Sequence, residues 1–233
     1  MLIDSPIAVI DSGMGGLKFL KGLKNTYKSE NLIYLADNAF MPYGNKSEDE
    51  IKRRLFFLTK FLIDNFNIKM LVLACNTASM VGLDYLRNEF NINIFGVNPK
   101  INQEETGIIC TKLTAKKLSE KNVVGLPKLA EFVENNILCN EKIEKYLKRV
   151  GKKHKLDRYK SIVLGCTHYE LIKPSFEKVF PQIKFLSPIQ NSLDEIKSRF
   201  KPEEKERIGE CFIFSSLASK SYTDKLNSIL EKL

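Results

Sequence analysis

The sequence predicts an α/β protein built as two α/β lobes with mainly parallel sheets. Three observations carry this. Short apolar runs recur at regular distances, stretches of helical period separate them, and the runs are too many for one small sheet. The runs lie at 7–10, 32–36, 70–74, 92–97, 107–110, 162–165, 183–186 and 211–214. Most are apolar throughout and do not alternate, as parallel strands covered on both faces require.

The intervening segments read as helices. Ser47 with Glu50 is a capping-box pattern opening a helix that runs to Phe66, with Ile51, Leu55, Leu58 and Leu62 on one stripe. Asn140 is the candidate cap of a helix carrying Ile143, Tyr146, Leu147 and Val150. Tyr222, Leu226, Ile229, Leu230 and Leu233 repeat the spacing at the C-terminal end. Asn98-Pro99 is a turn signal and marks a first crossing between lobes. The charged stretch 200–207, with Lys201-Pro202-Glu203-Glu204, marks the return. The expected division is therefore 1–97 plus 208–233 as the first lobe and 98–207 as the second.

Composition excludes several classes. Of 233 residues, 43% are hydrophobic and 28% charged, which suits a folded globular chain and not a disordered tail. No apolar run approaches the roughly 20 residues of a membrane-spanning helix. Residues 1–6 have no basic start followed by an apolar stretch, so no secretory signal is expected. Five cysteines without C-x-x-C spacing fit a reducing compartment, and a cytoplasmic location is expected. The net charge of +9 invites a nucleic-acid reading. Residues 112–160 hold 14 Lys/Arg against 6 Asp/Glu, nearly the whole imbalance. With sparse aromatics and no nucleic-acid motif, this segment reads as a solvated helix face.

Chemistry concentrates where strands end, which is where open α/β sheets bind ligands. After the first strand, Asp11-Ser12-Gly13-Met14-Gly15-Gly16 allows a tight turn and close ligand approach. There Asp11 is placed to accept from an ammonium group and Ser12 to donate to a carboxylate. The G-x-G-x-x-G spacing is not met, so no dinucleotide is suggested. After the second strand, Asp37-Asn38 precedes Pro42-Tyr43-Gly44, a turn whose Tyr43 and Gly44 amides suit a carboxylate. After the third, Ala74-Cys75-Asn76-Thr77 puts a cysteine at a helix N-terminus, where the helix dipole should lower its pKa. Asn76 and Thr77 surround it with donors. Gly165-Cys166-Thr167-His168-Tyr169-Glu170 repeats that logic in the second lobe, with His168 placed to tune Cys166 or act as an acid. Thr111 and Thr114 follow the 107–110 run, as carboxylate donors or as a helix cap. Glu134 is the candidate orienter of His168. His154, in a lysine-rich helix, reads as an ordinary polar residue.

Two cysteines in matching strand-end positions, one per lobe, suggest a cleft with a thiol on each wall. Moving a proton from one face of a carbon to the other needs a base on one side and an acid on the other. Racemisation requires such a pair, with roles exchanged by substrate hand, and needs neither metal nor cofactor. Three rivals compete with this reading. One is a thiol hydrolase using Cys166 and His168, which leaves Cys75 unexplained and sets its base awkwardly two residues away. Another is a zinc site from Cys75, Cys166 and His168, which lacks paired-ligand spacing. The third is a nucleic-acid binder or an inactive racemase-like regulator.

The motifs Asp11-Ser12-Gly13, Pro42-Tyr43-Gly44 with Lys46-Ser47, Ala74-Cys75-Asn76-Thr77-Ala78 and Gly165-Cys166-Thr167-His168-Tyr169 together resemble the glutamate racemase family. That family belongs to the cofactor-independent aspartate/glutamate racemase superfamily. The resemblance covers most of the chain. Aspartate racemases differ at the first glycine loop, which favours glutamate over aspartate as substrate. The resemblance implies two pseudo-symmetric lobes with the active site in the cleft between them. It implies interconversion of L- and D-glutamate for peptidoglycan, no cofactor, no membrane or nucleic-acid partner, and a homodimer. It makes Cys75 and Cys166 the acid/base pair, with Asp11 and His168 as auxiliary catalytic groups. Asp11, Ser12, Tyr43, Gly44, Asn76, Thr77, Thr111, Thr114, Thr167 and His168 become substrate contacts, with Glu134 in support. The chain departs from the family pattern at Phe40, Asn98 and Glu170, and the stretch between Thr114 and Cys166 is short for the family.

Overall fold

The computed structural model describes residues 5–97, 99, 106–201 and 206–233. In chain order the strands are β1 (Ile7–Asp11), β2 (Leu32–Ala36), β3 (Met70–Leu73), β4 (Asn93–Gly96), β5 (Thr106–Cys110), β6 (Val123–Gly125), β7 (Ser161–Gly165), β8 (Lys184–Leu186) and β9 (Cys211–Ser215). The helices are α1 (Leu17–Thr26), α2 (Glu48–Phe66), α3 (Asn76–Glu89), α4 (Lys112–Leu118), α5 (Leu129–Asn136), α6 (Asn140–His154), α7 (Thr167–Leu171), α8 (Lys173–Val179), α9 (Ile189–Arg199) and α10 (Lys220–Lys232).

The strands form two parallel sheets, ordered β4-β3-β1-β2-β9 and β6-β5-β7-β8. Each central strand is sealed on both faces, which is why its sequence is apolar throughout: all of β1, β2, β3 and β5 is buried. The α/β class with parallel sheets is as the sequence predicts. The three-residue β6 has no counterpart among the predicted runs, being too short to give a periodic signal.

Helix ends follow from local chemistry. The Ser47 hydroxyl accepts from the Glu50 N–H and the Glu50 carboxylate accepts from the Ser47 N–H, a complete capping box at the start of α2. Ile51, Leu55, Leu58 and Leu62 are its buried stripe. At α6 the expectation needs correcting. Cys139, not Asn140, is the N-cap, and no side chain caps it; Asn140 is already inside the helix. On that helix Ile143, Leu147 and Val150 are buried and the lysines face outward. No helix among the described residues is long and apolar enough to cross a membrane.

Helix α9 packs unexpectedly. The sequence division allots it to the second lobe, yet Ile189, Leu193 and Ile196 lie in the core of the first sheet, among Leu17, Leu20 and Leu23 of α1. Gly22 makes room for it: a Cβ there would sit 2.5 Å from Leu193 Cδ1. Nothing in the helical period of α9 says which sheet it covers. Asn98, at the expected first crossing, and residues 202–205 of the expected return lie outside the described residues.

Register sets up the site. Ala36 pairs with Asp11, Leu73 with Ile10, and Cys110 with Gly165. The chain therefore leaves β1, β2 and β3 side by side at one sheet edge, and leaves β5 and β7 side by side at the other.

Truncating Leu193 to alanine should remove buried packing from the α1–α9 contact and destabilise the protein by about 2–5 kcal/mol. Urea denaturation measures this, and a loss below about 1 kcal/mol would contradict the placement of α9 in the first core.

Candidate active site

Cys75 is the N-cap of α3 and Cys166 the N-cap of α7, so each thiol stands where a strand hands over to a helix. Both are nearly sealed, at 6% and 5% exposure.

The expectation that the helix terminus lowers the Cys75 pKa is overturned. Burial, reinforced by the nearby Asp11 charge and by Cys166, pushes the thiol up to about 12. The Ala78 N–H and the Ser12 hydroxyl, 3.7 Å from Sγ, pull the other way and lose. In this state Cys75 is a thiol at neutral pH.

The second wall is charged. His168 Nε2 lies 2.6 Å from Glu134 Oε2, and Cys166 is a further hydrogen-bond partner of the ring. Burial works to lower the His168 pKa, but the bonds and charges of Cys166 and Glu134 outweigh it and hold the ring well above its ordinary value. Burial works to raise the Glu134 carboxyl, yet His168, Tyr222 and the Met14 N–H together keep it below its ordinary value. The pair is an imidazolium and a carboxylate. The two-residue spacing of Cys166 and His168 looks awkward in sequence. It works because the cysteine caps the turn on which the histidine sits.

The glycine loop reaches across to this wall. Asp11 accepts from the Gly13 N–H at 2.8 Å and from the Thr167 hydroxyl at 2.9 Å, so one buried carboxylate joins the two lobes. Burial raises its pKa, partly countered by His168 and by these two donors. The Met14 N–H donates to Glu134 Oε2 at 3.1 Å. Glycine is demanded here by contact. A Cβ on Gly13 would stand 2.6 Å from Glu134 Oε2, and one on Gly15 would stand 2.6 Å from both His168 Nδ1 and Thr167 Oγ1.

The remaining residues named from sequence fall in three places. Thr77 Oγ1 lies 2.9 Å from Thr111 Oγ1 and 3.1 Å from Thr114 Oγ1, so three buried hydroxyls from opposite lobes bond one another. Thr111 also caps α4 by accepting from the Thr114 N–H. Gly44 abuts this cluster, since a Cβ there would meet Thr111 Cβ at 2.6 Å. The Tyr43 hydroxyl is committed to Asp37 Oδ2 at 2.7 Å, and Arg54 of α2 grips both Asp37 oxygens at 2.8 and 2.5 Å. Asn76 donates to the Val97 carbonyl at 3.1 Å, and its buried Oδ1 has no partner among the described residues.

Two of the departures from the family pattern, Phe40 and Glu170, also find places. Phe40 lies edge-on to Tyr43 with Lys46 over its ring, and Glu170 is buried with Lys18 3.6 Å from Oε2. Among the described residues no three His, Cys, Asp or Glu side chains are grouped to hold a metal ion. Cys110 is buried at the end of β5, while Cys139 and Cys211 are half-buried. Two site residues escape the sequence reading, Arg54 and Tyr222. Neither stands in a motif, and only tertiary contact brings them in.

No family model matches the chain. Among solved structures, a glutamate racemase of Campylobacter jejuni aligns with a TM-score of 0.79 and 27% identity, over 98% of this chain and 99% of that one. A Bacillus anthracis glutamate racemase shares the fold, with a TM-score of 0.83 at 24% identity over 98% of this chain and 94% of that one. Fold and site define an enzyme of the amino-acid racemase class. A curated glutamate racemase of Clostridium botulinum is 33% identical, the match covering 97% of each chain. Glutamate racemase 2 of Bacillus subtilis is 36% identical, the match covering 75% of this chain and 73% of that one. The chain belongs to the glutamate racemase family.

Alkylation of Cys75, followed by peptide mapping, should keep accelerating about tenfold per pH unit through pH 10, because only the thiolate reacts. Levelling near 9.0, the value of an ordinary thiol, would contradict the buried-thiol assignment.

Proposed function

We propose that the chain interconverts L- and D-glutamate by a two-base reaction in which Cys75 and Cys166 exchange the roles of acid and base. One sulfur, as thiolate, takes the proton from Cα. The other, as thiol, gives a proton to the opposite face, and the C–H bond broken on one side is replaced on the other. The observation that carries this reading is the pairing of two sealed strand-end cysteines from opposite sheets. The high pKa of Cys75 makes it the proton donor in the ligand-free form. The imidazolium His168 beside Cys166 is then the auxiliary group on the other wall, supported by Glu134.

A glutamate ligand needs partners for two carboxylates and one ammonium. Ser12, Thr77, Thr111, Thr114 and Thr167 supply hydroxyls, and Tyr43 and Gly44 supply main-chain N–H groups. Asp11 and the free Oδ1 of Asn76 suit the ammonium, whose charge would offset the cost of a second anion in the cleft. Donors fixed in a sealed site also stabilise the charge that develops when Cα is deprotonated. The glutamate racemase names of its relatives support glutamate as substrate. We further infer a two-lobe division with its first crossing at 97/98 and with α9 packed on the first lobe ahead of the return at 207/208, a homodimer, a cytoplasmic location, and the supply of D-glutamate to peptidoglycan. The thiol-hydrolase reading leaves the Cys75 wall without a task.

Deuterium uptake at Cα of L- and D-glutamate in heavy water tests the proposal. Wild-type protein should label both enantiomers, and Cys75→Ser and Cys166→Ser should each lower racemisation about 10²–10⁴-fold. Full activity in either variant would overturn the two-base assignment, and exchange on aspartate alone would overturn the substrate.

A further inference from the structure

Tyr222, a half-buried residue of α10, has no part in the chemistry above. Its hydroxyl nevertheless donates to Glu134 Oε1. The other oxygen, Oε2, faces His168 Nε2 at 2.6 Å and accepts from the Met14 N–H at 3.1 Å. One turn further along α10, Lys225 Nζ donates to the Glu134 carbonyl at 2.9 Å. Helix α10 thus grips α5 twice, once at the carboxylate and once at the main chain. Its own apolar face, Leu226 and Ile229, lies in the first core.

The terminal torsion of a glutamate side chain is broad, so a carboxylate held at one oxygen can turn and exchange its two oxygens. With Oε1 bound to Tyr222, only Oε2 is left for His168. We infer that Tyr222 is a positioning residue for proton transfer, fixing the Glu134 carboxylate so that Oε2 holds the His168 ring beside Cys166. This rests on the reading of Cys166 and His168 as a proton-transfer pair. The charged and titratable groups around the carboxylate are His168 and Cys166 from the second sheet's edge, Asp11 from β1, Tyr34 from β2, and Tyr222 and Lys225 from α10. Burial first, and the Glu134 charge next, raise the Tyr222 phenol, so it stays a donor throughout the working pH range.

The chain has two histidines, so a His154→Gln background leaves one imidazole to observe by nitrogen-15 NMR. In that background His168 should show a protected Nε2–H resonance that collapses on the acid side, when Glu134 takes a proton. Tyr222→Phe keeps the ring and deletes only the donor. It should make that proton exchange about tenfold faster and move the collapse up by about one pH unit, since a donor to the charged form is lost. In racemisation kcat should fall about tenfold and KM shift by less than about twofold. Lys225→Met removes the main-chain contact alone and should leave the resonance and its collapse unchanged. A Tyr222→Phe protein with wild-type resonance and collapse would overturn the inference. So would a Lys225→Met protein that reproduces the Tyr222→Phe changes, because α10 would then act only by docking. If the wild type failed to racemise glutamate, the two-base reading would fall, and the resonance would still decide whether Tyr222 positions the pair.

Discussion

The contact between the glycine loop and the end of β7 is the constraint on which the rest of the cleft depends. Two sheets that each end in polar groups can face one another only if something closes the gap without leaving buried donors and acceptors unpaired. The loop at 13–16 does this with its backbone. Gly13 and Gly15 have no side chain to hold the walls apart, so the Met14 N–H reaches Glu134 and Asp11 reaches Thr167. The loop is itself clamped from behind, where the buried Tyr34 hydroxyl donates to the Gly13 carbonyl at 2.7 Å. Asp11 and Cys75 leave neighbouring strands of one sheet and Cys166 leaves the other, so setting this distance sets the distance between the thiols.

The same closeness makes the two walls unequal. Each carries one cysteine at a helix start, and the strand-end motifs alone suggest equivalent thiols. The difference lies in what surrounds each sulfur. Cys75 has a hydroxyl, a main-chain N–H and the negative charge of Asp11 nearby, and in a dry site that charge and the burial dominate. Cys166 has an imidazolium, itself held by a carboxylate. In the ligand-free protein this leaves Cys75 holding its proton.

Much of this was legible in the sequence. Strand-end motifs are local, and their chemistry travels with them: a Gly-rich turn after an apolar run, or a cysteine between a strand and a helix, reads without a partner. Helix α2 was legible to its cap because the capping box is also local. Three features were not. The allegiance of α9 depends on which core receives Leu193, and a helical stripe does not record its destination. The Cys75 pKa depends on burial and on Asp11, 64 residues earlier in the chain, so the local helix-dipole argument gave the wrong sign. Tyr222 sits in an ordinary amphipathic helix, 88 residues beyond the glutamate it binds.

The three threonine hydroxyls that bridge the lobes bear on affinity. Each is both donor and acceptor, and a hydroxyl proton swings between partners without moving a heavy atom. An anion entering between them would take over bonds already made, so the exchange is close to even in hydrogen-bond count and its net gain is small. In the proposed reaction such a lining would select for shape and charge while retaining little binding energy in the bound state. For a catalyst whose substrate and product are mirror images, this restraint favours turnover, because neither hand is held long enough to block the next cycle.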